Sequence, residues 1–232
     1  MVINGDCIVE LVKLESNSVD LILIDPPYLI SRNSNFKSGE NKKYNGISID
    51  FGEWDKVELE WNFLFKEFKR ILKKGGTLII FYDIWKSTEL KENAEKHGFK
   101  QPRVCQWRKT NAVPVNSKVN YLSNGIEFFF TFVKGGNPTF NSKYDFGVYE
   151  YPICHGKERT SHPTQKPLKL IKDLIEKHSK DGDVILDCFA GSGTTGVAAK
   201  ELNRDFILIE REEEYIQIIN SRLLGSTQPK LS

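Results

Sequence analysis

The segment from Val184 to Glu210 constrains the fold more than any other part of the chain. It passes through a short apolar strand, "VILD", a glycine-rich loop, a helical stretch, "TTGVAAKEL", and a second apolar strand, "DFILIE". A strand, a helix and a strand of these lengths form a βαβ unit, in which the two strands lie parallel and the helix crosses between them. The sequence therefore predicts an α/β fold.

Strands and helices alternate in the rest of the chain as well. Apolar runs of strand length occupy 19–25, 77–82, 104–107 and 127–133, and helical periodicity covers 56–74, 87–98, 167–178 and a last helix through Tyr215 and Leu223. Gly75 and Gly76 are expected to stop the first helix, Ser87 to cap the second and Pro167 to open the third. We predict a doubly wound, mostly parallel sheet with helices on both faces.

The length of 232 residues predicts a single domain, 1–232. Two polar stretches of the length of functional loops interrupt the pattern, 29–53 and 134–161. No apolar run is long enough to span a membrane and no signal peptide is recognised, so we expect a protein of the cytoplasm with its four scattered cysteines reduced. Cys154, His155 and His162 match no usual zinc spacing, and no metal is expected.

The glycine loop contains GxGxxG at Gly191, Gly193 and Gly196, and Glu210 stands at the end of the following strand. A tight turn explains such glycines in some chains. With a strand before it, a helix after it and an acid at this distance, the motif favours a ribose-bearing cofactor, NAD included. The cofactor half lies at the C-terminal end here, which disfavours a nicotinamide dehydrogenase. No GK[ST] is present, which disfavours phosphoryl transfer.

Two prolines end the strand 19–25 directly after a carboxylate, in "LILIDPPY". An aspartate before prolines is often only a turn former. Chemically, however, Asp25 and the carbonyl of Pro26 are adjacent acceptors, which suit an NH2 group that must offer its lone pair. Tyr28 offers a flat face for a planar base, which must first leave the duplex stack. We interpret Asp25, Pro26, Pro27 and Tyr28 as a candidate catalytic clamp for an aromatic amine.

Positive charge is unevenly distributed, although the net charge is only +2. From His97 to Ile126 there is no acidic residue, and the loop after Tyr28 is also rich in cations. A solvated surface is the plain alternative, but two cationic stretches favour a polyanion as partner. The candidate DNA-binding residues are Tyr28, Arg32, Arg108, Lys109 and Lys118.

Five motifs occur in an order that resembles the β-class of S-adenosylmethionine-dependent DNA amino-methyltransferases. They are "NGDC" (4–7), "NSVDLILIDPPY" (17–28), "EFKRILKKGGTLIIFY" (67–82), "HPTQKP" (162–167) and "DVILDCFAGSGTTG" (183–196). The resemblance implies a Rossmann-like methyltransferase fold in which the catalytic half precedes the cofactor half. It also implies that 134–161 is a small target-recognition insertion.

The resemblance further implies a cofactor site. Its residues would be Asp6, Cys7, Asp25, His162, Thr164, Lys166, Asp187, Phe189, Ala190, Gly191, Ser192, Gly193, Thr194 and Glu210. In this assignment Glu210 holds the ribose hydroxyls, Asp6 and Cys7 contact the adenine ring, and Lys166 approaches the methionine carboxylate. The methyl group passes directly to the amine, and S-adenosylhomocysteine is the product.

By the same resemblance, DPPY favours the N6 of adenine in double-stranded DNA, and N4 of cytosine is the alternative. A catalytically silent DNA-binding module would have no use for both motifs intact. We expect a prokaryotic enzyme of the restriction–modification type, acting as a homodimer.

Overall fold

The computed structural model describes residues 1–27, 59–113 and 122–225. The chain divides into one unit made of Met1–Pro26 and Trp61–Ser232 and a second unit, Pro27–Glu60, nearly all of which lies outside the described residues. The elements below belong to the first unit. Within the described ranges, no helix is long and apolar enough to cross a membrane.

The strands and helices alternate along this unit, as the sequence predicts. The strands are β1 (Val2–Asn4), β2 (Val19–Ile24), β3 (Leu72–Phe81), β4 (Lys100–Lys109), β5 (Ile126–Val133), β6 (Val148–Tyr151), β7 (Val184–Asp187) and β8 (Asp205–Glu210). The helices are α1 (Cys7–Leu11), α2 (Trp61–Ile71), α3 (Ser87–Lys96), α4 (Leu168–His178), α5 (Thr194–Glu201) and α6 (Glu213–Gly225). Two 3₁₀ turns occupy Ile84–Lys86 and Gly156–Glu158.

The strands form one sheet in the order β1-β8-β7-β2-β3-β5-β4-β6. Among the described residues, β5 alone runs against the other strands, since it pairs antiparallel with both β3 and β4. The helices pack among themselves in two groups, α1–α3 and α4–α6, as two layers over a sheet require. The predicted doubly wound, mostly parallel α/β fold is confirmed.

The buried faces are those that the apolar spacing indicates. On α2, Trp61, Leu64, Phe65 and Phe68 are buried. The α4 face is buried in the same way, through Leu170, Ile171, Leu174 and Ile175. The strands β2 and β3, at the centre of the sheet, are apolar on both faces because helices cover them from both sides.

Three predicted helix boundaries were wrong. Helix α2 ends at Ile71 rather than Lys74, because the next residue already pairs with β2 and because Asn17 and Ser18 donate their amides to its last carbonyls. Gly75 and Gly76 lie inside β3. Ser87 is the first residue of α3 and makes no cap; Asp83 caps the preceding turn instead, accepting from the Trp85 amide at 3.0 Å.

The third boundary is at Pro167. It stands one residue before the helical turn that it was predicted to open, with extended backbone. The predicted pattern also lacked β1, α1 and β6, which are too short to give a period.

The stretch 134–161 is partly structured. Its first half begins at the end of β5, and Asn141 donates to the carbonyls of Glu176 and Ser179 at the end of α4. These points lie at the amino ends of the parallel strands. Strand β6 then crosses the sheet edge beside β4 and ends with Tyr151 opposite Lys109. Within the stretch 134–161, only the residues after Tyr151 therefore lie at the carboxyl edge of the sheet, where Asp25 is found.

Candidate active site at the carboxyl edge of the sheet

The glycine loop between β7 and α5 is a close-packed turn. Gly191 and Gly193 have φ values of +50° and +75°, which favour glycine. A Cβ on Gly191 would come within 2.7 Å of Nε2 of His162, which in turn packs on the Tyr215 ring with centroids 4.6 Å apart. Burial, followed by the nearby Lys166 charge, lowers the pKa of His162 to about 4. A neutral imidazole therefore supports the loop.

The carboxyl group of Asp187 holds the same loop from inside. Its Oδ1 accepts the amide of Phe189 at 3.0 Å, and its Oδ2 accepts the hydroxyl of Thr195 at 2.6 Å. The side chain is 4% exposed, and burial raises its pKa to about 7. Asp187 thus spans the turn from the strand to the helix.

Arg222 of α6 ties the outer side of the loop. Its guanidinium donates to the carbonyl of Ser192 at 2.6 Å, to the Ser192 hydroxyl at 3.1 Å and to the Thr194 hydroxyl at 3.0 Å. Both hydroxyls are buried. The side chains of Ser192 and Thr194 thus contact Arg222 of α6, and they support the loop rather than line an open surface.

Glu210 ends β8 against the loop. One carboxylate oxygen accepts the Gly191 amide at 2.7 Å and the other accepts the Glu212 amide at 2.9 Å. Burial raises the pKa of Glu210, and the two amides oppose that shift. Glycine amides and an acid are thereby joined in one unit at the end of β8.

Strand β1 brings Asp6 and Cys7 to this unit, because the Gly5 amide donates to the Glu210 carbonyl at 3.0 Å. Asp6 caps α1, accepting the Ile8 amide at 2.8 Å. Burial, followed by the Asp6 charge, raises the pKa of Cys7 to about 12, so its thiol is no nucleophile.

Asp25 stands at the same edge, one residue past β2. Strands β2 and β7 pair in parallel with Leu21 opposite Ile185, so Asp25 and the glycine loop leave adjacent strands at one level. Parallel strands place their carboxyl-end loops together, which is where open α/β sheets bind ligands.

A network of partly buried ions surrounds Asp25. The Lys166 ammonium contacts Oδ2 of Asp25 and lies 3.3 Å from Oε2 of Glu127, the second residue of β5. Oε1 of Glu127 is 2.8 Å from the ammonium of Lys109, at the end of β4. The Lys166 side chain is 8% exposed and its ammonium lies 5.1 Å from the centre of the Phe81 ring. Asp25 is thus linked to Lys109 through two intermediate charges.

The network keeps two of its members, Glu127 and Lys166, charged. Burial pushes the pKa of Glu127 upward, but Lys166 and Lys109 outweigh it, and the pKa is lowered. Burial likewise pushes the pKa of Lys166 downward, but Asp25 and Glu127 outweigh it, and the pKa is raised. Both carboxylates therefore face a cation that does not give up its proton near neutral pH.

Comparison with known proteins assigns this arrangement to a family. The model of the N6/N4 DNA methylase family matches residues 19–221. The chain belongs to this family. It is 33% identical to the type II methyltransferase M.HinfI of Haemophilus influenzae, over 96% of this chain and 67% of that protein. It is 32% identical to the type II methyltransferase M2.DpnII of Streptococcus pneumoniae, over 96% of this chain and 89% of that protein.

The solved structures agree. The complex of M1.HpyAVI with SAM superposes with a TM-score of 0.72 at 29% identity, over 96% of this chain and 98% of that one. The predicted family and fold of this DNA methylase are confirmed.

The site residues predicted from the sequence meet at one edge where they are described. Glu210, the glycine loop, Asp6, Cys7 and His162 form one continuous set of neighbours, and Thr164 is half-exposed in the same segment as His162. Pro26 is buried and Pro27 is half-buried. Tyr28, Arg32 and Lys118 lie outside the described residues.

Two lysines with predicted ligand contacts pair with carboxylates of the chain itself. Lys166 was assigned to the methionine carboxylate, but its ammonium contacts Asp25 and Glu127. Lys109 was assigned to a DNA phosphate, but its side chain is only 14% exposed and pairs with Glu127. Arg108 is exposed and pairs with Glu150 across the edge of the sheet, a position that a phosphate can reach.

The four cysteines, all of which are described, are free thiols. Over the described residues there is no group of three or more His, Cys, Asp or Glu side chains that could hold a metal ion.

Two side chains that contact the candidate site were not predicted from the sequence, Glu127 and Arg222. Glu127 is the first acid after Glu95, 31 residues without an acid lie between them, and it stands near the start of a mostly apolar strand. An acid at that position indicates a partner, because an unpaired charge is costly to bury. Arg222 gives a weaker signal, since a cation in a terminal helix is usually solvated.

Proposed function

We propose that the protein transfers a methyl group from S-adenosylmethionine to the N6 of an adenine that has left the duplex stack. The observation that carries the proposal is the meeting of two parts at one sheet edge. One is Asp25, anchored by a buried lysine, and the other is the glycine loop joined to Glu210. Family membership indicates the reaction class, and the residues at the carboxyl edge of the sheet are the ones proposed to carry it out.

The residues around the glycine loop fit the cofactor. The positive φ values of the loop let its backbone approach a ligand closely, and the Glu210 carboxylate, fixed by two amides, has further lone pairs for ribose hydroxyls. Asp6 and Cys7 lie beside Glu210, where an adenine ring attached to that ribose would extend. When bound, S-adenosylmethionine supplies an electrophilic methyl group on a sulfonium.

Asp25 has the chemical part in the reaction. Its carboxylate accepts a hydrogen bond from the target NH2 and stabilises the positive charge that grows on the nitrogen during transfer. Lys166 fixes the carboxylate in place, so little reorganisation is needed at the moment of reaction. The carbonyl of Pro26 is the second acceptor, and Tyr28 stacks on the base.

Adenine is preferred to cytosine because the motif is DPPY, the form that this class mostly uses for adenine N6. The family model covers both bases, so cytosine N4 is the alternative. Label transferred from S-adenosylmethionine to DNA, followed by digestion to nucleosides, separates them. N6-methyldeoxyadenosine supports the proposal, N4-methyldeoxycytidine selects the alternative, and absence of label in any DNA rejects both.

The Asp25→Ala variant tests the catalytic assignment in the same assay. We expect turnover to fall at least tenfold, because a preorganised hydrogen-bond partner of the reacting group contributes about a hundredfold or more to the rate. Circular dichroism should report a folded chain. Retention of more than about a tenth of the wild-type turnover would contradict the role of Asp25.

Double-stranded DNA is the proposed partner, and the prokaryotic cytoplasm is the location that this substrate implies. The recognition role proposed for 134–161 rests on its second half, since only the residues after Tyr151 lie at the edge that carries Asp25. The expected homodimer is tested by sedimentation equilibrium: a mass near 53 kDa, twice 26.7 kDa, supports it, and a monomer mass rejects it.

A further inference from the structure

Glu127 occupies an unusual place for an acid. It is the second residue of β5, directly opposite Trp107 of β4. Lys109 lies two residues further along the same face of β4, so the two side chains are diagonal neighbours on paired strands. The side chain of Glu127 is 24% exposed, and both of its oxygens face ammonium groups, at 2.8 Å from Lys109 and 3.3 Å from Lys166.

The position of Glu127 between two lysines separates it from the reacting atoms. In the described contacts it meets Lys166, and Lys166 in turn meets Asp25. A buried lysine with one carboxylate partner could turn toward that partner or away from it. With carboxylates on two sides and the Phe81 ring beneath, the ammonium has one favourable position. By fixing the Lys166 ammonium, Glu127 thereby restricts the positions that the Asp25 carboxylate can take.

Stability alone gives no reason for such a network. Buried ion pairs are often no more stabilising than well-packed apolar side chains, because desolvation offsets the attraction. The neighbours of Glu127 on β5 are Ile126 and Phe128, so an apolar residue would suit the strand. The charges of Glu127 and Lys166 are better explained by a need to position the Asp25 carboxylate than by a contribution to folding stability.

We infer that Glu127 is a positioning residue for methyl transfer: it holds the Lys166 ammonium between two carboxylates, and through it the carboxylate of Asp25. This inference rests on the proposed function. It assigns to Glu127 a role in turnover without contact with either substrate.

The chain contains a matched control. Lys177 of α4 is also held between two carboxylates, 2.8 Å from Asp145 and 3.0 Å from Asp173, and its ammonium lies 4.3 Å from the centre of the Tyr149 ring. This cluster shares no residue with the network around Asp25. Loss of one carboxylate there tests the structural effect of leaving a lysine with one of its two carboxylate partners.

The experiment compares Glu127→Gln with Asp145→Asn in methyl-transfer kinetics. For Glu127→Gln we expect kcat to fall at least tenfold, because displacement of a catalytic group by about 1 Å costs on the order of a hundredfold. The Kd for S-adenosylmethionine and the KM for DNA should stay within threefold. Asp145→Asn should keep the kcat of the wild type even if its melting temperature falls as far as that of Glu127→Gln.

A smaller fall in kcat, an equal fall in the control, or a loss that lies in Kd or KM would overturn the inference. Because the wild type is measured beside the variants, absence of methyl transfer by the wild type counts against the proposed function instead. If Glu127→Gln fails to fold, Glu127→Asp replaces it, with the same criteria, since the shorter acid keeps the charge and withdraws it from Lys166.

A double-mutant cycle identifies the route. If Glu127 acts through Lys166, the double variant Glu127→Gln, Lys166→Met should turn over no more slowly than Lys166→Met alone. Multiplication of the two losses would mean that Glu127 acts by another path, and the inference would be wrong.

Discussion

Asp187 carries a carboxyl group whose surroundings favour its protonated form. It is nearly inaccessible to solvent, and its two donors, an amide and a hydroxyl, are neutral. Burial, to which the charges of Asp25 and Glu210 add, raises its pKa to about 7 from 3.8. The sequence places this residue at the end of a strand and, by resemblance, in the cofactor site, but it does not predict the raised pKa, because a carboxyl group's environment depends on neighbours distant in the chain.

The raised pKa of Asp187 predicts a pH dependence of stability. Between pH 3.8 and about 7 the folded chain holds a proton that the unfolded chain has released, so the contribution of this group falls as pH rises, by about 1.4 kcal/mol per unit. Asp187→Asn cannot titrate. Its free energy of unfolding relative to the wild type should therefore increase by up to about 4 kcal/mol from pH 4 to pH 7.

Urea unfolding of both proteins at pH 4.5, 6 and 7.5, without S-adenosylmethionine, measures this difference. A difference that stays constant over the range would mean that Asp187 is ionised throughout in the folded protein.

At the scale of elements, helix α6 packs on the glycine loop through Ile216 and Ile219, and Arg222 adds hydrogen bonds between the two. Without the guanidinium of Arg222, the buried Ser192 carbonyl and two hydroxyls lose their donor, and a hydrogen bond from a charged group contributes about 1.5–3 kcal/mol. We expect Arg222→Met to weaken S-adenosylmethionine binding about tenfold, which corresponds to about 1.4 kcal/mol. The kcat at saturating cofactor should change little.

Lys200→Met is the control, because Lys200 also bonds α6, through the Leu223 carbonyl at 2.9 Å, but from α5 rather than from the loop. Calorimetric titration with S-adenosylmethionine should leave its affinity at the wild-type value. Equal losses in both variants would assign the effect to the packing of α6 as a whole.

Long elements with a strong period were predictable from the sequence, and short ones were not. The buried face of α4 follows from the spacing of Leu170, Ile171, Leu174 and Ile175. Strand β1 has three residues and is stabilised by its pairing with β8, which no local pattern reveals. Likewise the end of α2 is set by amides from the loop before β2. Tertiary contacts of this kind decide boundaries.

Over the whole molecule, the sequence predicts which residues share an edge but not which charges pair. Asp25 and the glycine loop meet because parallel strands carry them there. The partners of Lys166 depend on β5, the one described strand that runs the other way and brings Glu127 to this edge. A helix–strand pattern does not give the direction of an inserted strand, so the network around Asp25 could not be derived.

Strand β4 carries one exposed arginine near the carboxyl edge of the sheet and another toward the opposite edge. This difference in position gives a prediction for DNA binding. Arg108 is exposed near the carboxyl end of β4, and its pairing with Glu150 is a surface salt bridge of small energy, easily exchanged for a phosphate. Arg103 is exposed on the same strand toward the other end. We expect Arg108→Gln to weaken binding to all DNA sequences alike and to reduce the slope of log K against log salt by about 0.9.

Arg103→Gln should leave that slope unchanged, because its charge lies away from the edge that binds the substrate. Fluorescence anisotropy with duplexes of two unrelated sequences, from 50 to 300 mM salt, measures both variants. The cofactor affinity without DNA should equal that of the wild type in each, since neither arginine belongs to the glycine loop or its supports. If the two arginines change the slope equally, the positive charge of β4 acts as a diffuse field rather than through a phosphate contact at Arg108, and DNA contacts would then be sought in the residues after Tyr151.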